Sequence, residues 1–183
     1  MDPKIIIAII VAVLVVIGIV LAIVRKRQGD RLKEHFGPEY ERQVREAGGS
    51  RSKAEAELLK REKRVEKLDI HPLDPKEREA FMADWQEVQA EFVDDPERSI
   101  AKADALVAEV MKARGYPVDD FEQRAQDISV EHPGLVENYR SAHAIAERRA
   151  EGKANTDDLR AAFIGYRSLF DDLLKSDTHE AAH

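Results

Sequence analysis

Residues 5–24 read IIIAIIVAVLVVIGIVLAIV, twenty consecutive positions without a charged or polar side chain, and Arg25, Lys26 and Arg27 follow at once. At ~1.5 Å of rise per residue, a helix of this length extends about 30 Å, the thickness of a bilayer's hydrocarbon core. All but three alanines and one glycine are Ile, Val or Leu. At about −0.3 to −0.6 kcal/mol each, these side chains favour insertion by roughly 5 to 10 kcal/mol. A cleaved secretory signal would carry a shorter apolar stretch of about 7 to 15 residues and a small-residue cleavage site. Here the run is longer and RKRQGD follows it. The expectation is a retained N-terminal transmembrane helix over 5–24, behind a short tail of residues 1–4.

Charge predicts its orientation. Asp2 and Lys4 precede the run, whereas Arg25, Lys26, Arg27, Arg31 and Lys33 crowd its distal end. Basic flanks stay on the cytoplasmic side, so the C-terminal body is expected in the cytoplasm. The five basic residues become candidate membrane-surface contacts, each worth about 1 kcal/mol near anionic lipid. Ala8, Ala12, Gly18 and Ala22 share one broad helical side, and small residues there would let a second helix approach closely. A homodimer through this helix follows as an expectation.

Beyond the anchor the charge is uneven. From Arg25 to Lys67 there are 14 basic and 9 acidic residues, and from Leu68 to His183 there are 14 basic and 26 acidic. An acidic distal half would repel phosphates, which argues against a nucleic-acid partner. The chain has no cysteine, so disulfide frameworks, thiol catalysis and thiolate metal sites are excluded.

Helix signals organise the remainder. RLKEHFGPEYERQVREAGGS reads as a jointed collar, broken at Gly37-Pro38 and ended at Gly48-Gly49. Ser52 and Glu55 have capping-box spacing ahead of a charged helix. Its Ala54, Leu58, Val65 and Leu68 keep a seven-residue register that Arg61 interrupts. Residues 25–70 are therefore expected to form a basic collar and solvated stalk, with short coiled-coil pairing as the alternative. From 71 to 175 the pattern becomes an acidic bundle of about five helices. Asp74-Pro75 and Asp95-Pro96 are starts of one type. The inward stripes are Phe81, Trp85, Val88 and Phe92; Ile100, Ala103, Leu106 or Val107, and Val110; Phe121, Ala125 and Ile128; Val136, Tyr139, His143 and Ala146; and Leu159, Phe163, Tyr166, Phe170 and Leu173. No segment alternates with period two, so the expected fold is all-α, an antiparallel bundle behind a stalk and a membrane helix. The tail 176–183 is expected to fray.

The succession HFGPEYERQV, then Trp85 with VQAEFVDDP, then ADALVAEVMKARGYPVDDFEQRAQDISVEHPGLVENYRSAHAIA is similar to a recurrent family of uncharacterised bacterial single-pass membrane proteins, often called hypothetical or secreted. The resemblance covers about Arg31 to Leu174. It implies a bacterial source, hence the inner membrane, and the same plan of anchor, stalk and helical domain. It brings no activity, cofactor or functional residue with it.

Catalytic signatures are absent from the sequence. There is no HExxH, paired Glu-x-x-His, Gly-x-Ser-x-Gly, Walker loop, Gly-x-Gly-x-x-Gly or EF-hand loop. No catalytic, cofactor or metal residue is assigned, and no enzyme is expected. Of the six histidines, only His143 stands on an apolar helical face, with Tyr139 one turn before it. The pair is a candidate pocket, although a satisfied core histidine is the simpler reading. In RGYPVDDFEQRA, a sharp turn gathers Arg114, Tyr116, Asp119, Asp120 and Arg124. Arginine and tyrosine suit a protein-binding surface, and a plain structural turn is the simpler alternative. Two functions compete: a membrane-tethered scaffold or adaptor for a protein partner, and a membrane-anchored enzyme or small-molecule-binding domain using the Tyr139–His143 pocket.

Overall fold

A computed structural model describes residues 3–175, with side chains from Ala12 onward. The tail 176–183 lies outside the described residues, as do residues 1–2 and the side chains of the first seven positions of the apolar run. Eight α-helices and no strand occur among the described residues: α1 Pro3–Phe36, α2 Pro38–Glu46, α3 Arg51–Val65, α4 Pro75–Asp94, α5 Pro96–Ala113, α6 Phe121–Glu131, α7 Val136–Ala150 and α8 Thr156–Lys175. The all-α expectation holds. Among the described residues no helix is long and apolar enough to cross a membrane.

The chain divides into two compact units, Met1–Leu58 and Leu59–His183, with the boundary within α3. In the first unit, α1 continues past the apolar run as far as Phe36 and stops at Gly37, whose positive φ lets Pro38 open α2. Leu32, Phe36, Tyr40, Ala54 and Leu58 are buried here. The start of α3 is two residues earlier than the sequence suggests, because the Ser50 hydroxyl accepts the Lys53 N–H at 3.4 Å. The face expected to be a solvated stalk is covered: Ala54, Leu58, Arg61 and Val65 are all buried within the single chain.

The second unit is a bundle in which α5 packs against α4, α7 and α8, and α7 against α6 and α8. Aspartates set its starts. Asp74 accepts the Lys76 N–H at 2.8 Å and Glu77 reaches back to the Asp74 N–H at 3.1 Å, a capping box, while Asp95 accepts the Arg98 N–H at 3.0 Å. Each such cap is worth about 1 kcal/mol. Trp85 stacks on Phe170 at 4.5 Å and on Phe163 at 5.3 Å between ring centroids, which joins α4 to α8. The buried Ser99 hydroxyl donates to the Val88 carbonyl at 2.7 Å and ties α5 to α4. The stripes of α5 and α8 point inward as expected. On α7 the buried set is Val136, Tyr139, Ala142 and Ile145, which leaves His143 at the edge of the core.

Candidate functional site

His143 stands where α5, α6 and α7 converge. Its ring lies flat on Phe121, with centroids 3.5 Å apart and planes 9° from parallel. Nδ1 is 3.7 Å from the Asp104 carboxylate and Nε2 is 3.8 Å from that of Glu147. Both separations exceed hydrogen-bond length. Deeper in the bundle, Tyr139 and Tyr166 are fully buried and meet edge to face at 6.1 Å. Arg124 reaches over the Phe121 ring at 5.7 Å.

Burial is the main cause of the raised pKa of both phenols. Asp104 pushes Tyr166 further up, whereas Arg124 opposes the rise at Tyr139. Each hydroxyl is therefore held neutral, suited to donating a hydrogen bond rather than to acting as a base or nucleophile. The Tyr139 hydroxyl has no hydrogen-bond partner within reach in the described structure, whereas Asp104 engages the Tyr166 hydroxyl. The result is a polar seam in an apolar core, formed by the two hydroxyls, Asp104, Arg124 and the edge of His143. Tyr139 and His143 are thus neighbours, but one faces the interior and the other its margin. Among the described residues no three His, Asp or Glu side chains are grouped to hold a metal ion.

The Arg114–Arg124 segment is largely tied into the bundle. Arg114 is buried and donates from Nη1 to the Leu173 carbonyl at 2.5 Å, fixing the end of α5 to the end of α8. The Tyr116 side chain is buried and its hydroxyl donates to Glu131; burial and that carboxylate raise its pKa. Asp120 accepts the Gln123 N–H at 2.8 Å and starts α6. Arg124 is buried, and Asp119 is exposed. The structure therefore separates the five: three point inward, one caps a helix and one faces solvent.

Two partnerships near this turn were not apparent from the sequence. His132 Nδ1 lies 2.5 Å from Asp172, and the buried Asp127 meets Arg64 at 2.6 Å. The members of each pair are 40 and 63 residues apart. The only local hint was a charged residue falling on an otherwise apolar helix face.

Arg25, Lys26, Arg27, Arg31 and Lys33 are all exposed on α1, and Lys33 pairs with Glu41 at 3.0 Å. Arg25, Lys26 and Lys33 share one cleft, and Arg27 and Arg31 do not line it. Comparison with known proteins adds no relative to this geometry: no family model, curated protein or solved structure matches the chain.

Proposed function

We propose that the chain is a membrane-tethered helical scaffold or adaptor, with residues 5–24 in the bilayer and the acidic bundle holding a protein partner beside it. The observation that carries this reading is the exposure of α1. Val13, Leu14, Val15, Val16, Ile17, Ile19, Val20, Leu21, Ile23 and Val24 are each about half exposed. These positions cover the whole circumference of the helix. An all-round apolar helix without a protein cover calls for a lipid environment. The basic residues that follow favour a cytoplasmic bundle, and the family resemblance favours the inner membrane of a bacterium.

A second reading, a small-molecule site or enzyme at the Tyr139–His143 seam, is supported by one observation. The buried Tyr139 hydroxyl lacks a partner, and buried polar groups are ordinarily satisfied by protein, water or ligand. A ligand seated there would leave Tyr139 hydrogen-bonded.

The chain has no cysteine and Val93 is 83% exposed, so Val93→Cys offers a single reporter of sidedness. A membrane-impermeant maleimide is expected to label it only after cells are lysed. Labelling in intact cells would overturn the cytoplasmic assignment and move the partner search to the envelope.

A further inference from the structure

Immediately beyond the apolar run, α1 and the start of α3 enclose a cleft of 570 Å³ lined by basic residues from both helices, Arg25, Lys26 and Lys33 on α1 and Arg51 on α3. We propose that this cleft is a binding site for the phosphate of an anionic lipid headgroup. The inference rests on the membrane-anchor reading, which brings the cleft to the bilayer surface.

Position is the first argument. The headgroup layer of one leaflet is roughly 5 to 8 Å deep. At ~1.5 Å per residue, Arg25 and Lys26 fall within about 3 Å of the end of the run, inside that layer. The second argument is convergence. Arg51 comes from a different helix and from a position 26 residues on in the chain, so the grouping is a product of the fold rather than of a basic stretch. The Ser52 hydroxyl lines the same space and supplies a neutral donor of the kind a phosphate oxygen accepts from.

The cleft is also fixed in shape. A side chain at Gly29 would place its Cβ 2.6 Å from the Glu55 carboxylate, so glycine is what lets Glu55 approach α1. The Tyr40 hydroxyl donates to Glu55 at 3.0 Å, and Glu41 engages Lys33 at 3.0 Å. Among the described residues Arg25, Lys26 and Arg51 form no ion pair, which leaves three cations to meet a phosphate. Asp30 and Glu55 also line the cleft. They limit the site to one phosphate group and disfavour multiply charged anions. Arg27 and Arg31, equally basic and placed between Lys26 and Lys33 in the sequence, do not line it. They separate site binding from general adhesion of a basic segment to anionic lipid.

The test is native mass spectrometry of the full chain released from detergent micelles doped with equal phosphatidylglycerol and phosphatidylcholine. The wild type is expected to carry one phosphatidylglycerol in preference to phosphatidylcholine. Arg51→Gln and, on the opposite wall, Lys26→Gln should each lower that occupancy about fivefold, whereas Arg27→Gln should leave it within about twofold. Equal losses in all three variants would overturn the proposal in favour of non-specific adhesion. Displacement of the lipid by millimolar inorganic phosphate would overturn the lipid assignment and make the cleft a soluble-phosphate site. Unfolding temperatures unchanged between the variants exclude a folding defect. Resistance of each chain to alkaline carbonate extraction from phosphatidylcholine vesicles is measured in parallel. An inserted chain without headgroup preference refutes the cleft alone, and a chain that does not insert refutes the anchor.

Discussion

Gly115→Ala is expected to destabilise the bundle by about 3 to 6 kcal/mol. Gly115 has φ +95°, and a Cβ there would lie 2.1 Å from the Asp69 carbonyl oxygen and 3.5 Å from the Ile70 Cα. Alanine in a left-handed conformation costs about 1 to 2 kcal/mol. The overlap is with backbone, so the segment before α4 must move, at a cost typical of overpacking, about 1 to 3 kcal/mol. That movement pulls the His71 N–H away from the Arg114 carbonyl, now 3.0 Å distant, and forfeits about 1 kcal/mol more. Gly152→Ala is the control, because Gly152 also has positive φ, +70°, but nothing within 4 Å of its Cβ position. Its cost is the backbone term alone, about 1 to 2 kcal/mol. Urea unfolding followed by the fluorescence of the single tryptophan, Trp85, stacked in the core on Phe163 and Phe170, reads both variants. Equal losses for Gly115→Ala and Gly152→Ala would refute the claim that this turn is a packed lock.

Tyr116, Tyr139 and Tyr166 all have pKa values raised above the ordinary 10.0, chiefly by burial. The stability they contribute is complete below pH ~10 and falls as pH rises, because the unfolded chain releases protons the folded chain retains. The expected loss is about 4 kcal/mol per pH unit; phenolate absorbance appearing at pH ~10 while Trp85 fluorescence stays native would contradict it. Arg64→Ala should cost about 3 kcal/mol, because it removes the cation paired with the buried Asp127 carboxylate while the charge of Arg61 still acts on it. Burial raises the Asp127 pKa even with Arg64 present. The Arg64→Ala penalty should therefore grow as pH rises through the folded Asp127 pKa, and urea unfolding at mildly acidic and neutral pH reads the difference. Gly165→Ala should be destabilising despite alanine's better helix propensity, because its Cβ would stand 2.9 Å from the Asn138 carbonyl oxygen. A rise in unfolding temperature would show that α7 and α8 separate readily. His143→Ala should change stability by about 1 kcal/mol or less, the value of its stacking on Phe121, and a loss of several kcal/mol in urea unfolding would reveal a contact beyond that ring.

The helices of the bundle were legible because their signals are local. Aspartate caps at Asp74 and Asp95, prolines just after them and apolar stripes on α5 and α8 each act within one or two turns. The hidden parts depend on neighbours distant in sequence. Arg61 reads as a defect in a heptad seam, yet it is buried; whether such a charge faces water depends on the surrounding elements. The same holds for Arg114 and Tyr116, whose types suggested recognition and whose partners, Leu173 and Glu131, lie on other helices. Three- and four-residue spacing put His143 and Ala146 on the inward face of α7, whereas packing turns Ala142 and Ile145 inward; both pairs continue from Tyr139 at helical spacing, and only the neighbouring helices decide between them. The basic residues after the run were visible individually. Arg51 and Ser52 could not be joined to them until the turn at Gly48 and Gly49 returned the chain to α1.

The most direct test of the membrane tether is extraction. Membranes from cells making the full chain are washed with alkaline carbonate and floated through a density gradient. The wild type is expected to float with the lipid. A variant carrying Leu14→Asp and Val16→Asp is expected to be released, because two like charges at the centre of the span cost about 5 to 7 kcal/mol. A wild-type chain that leaves the membrane with the carbonate supernatant would contradict the account.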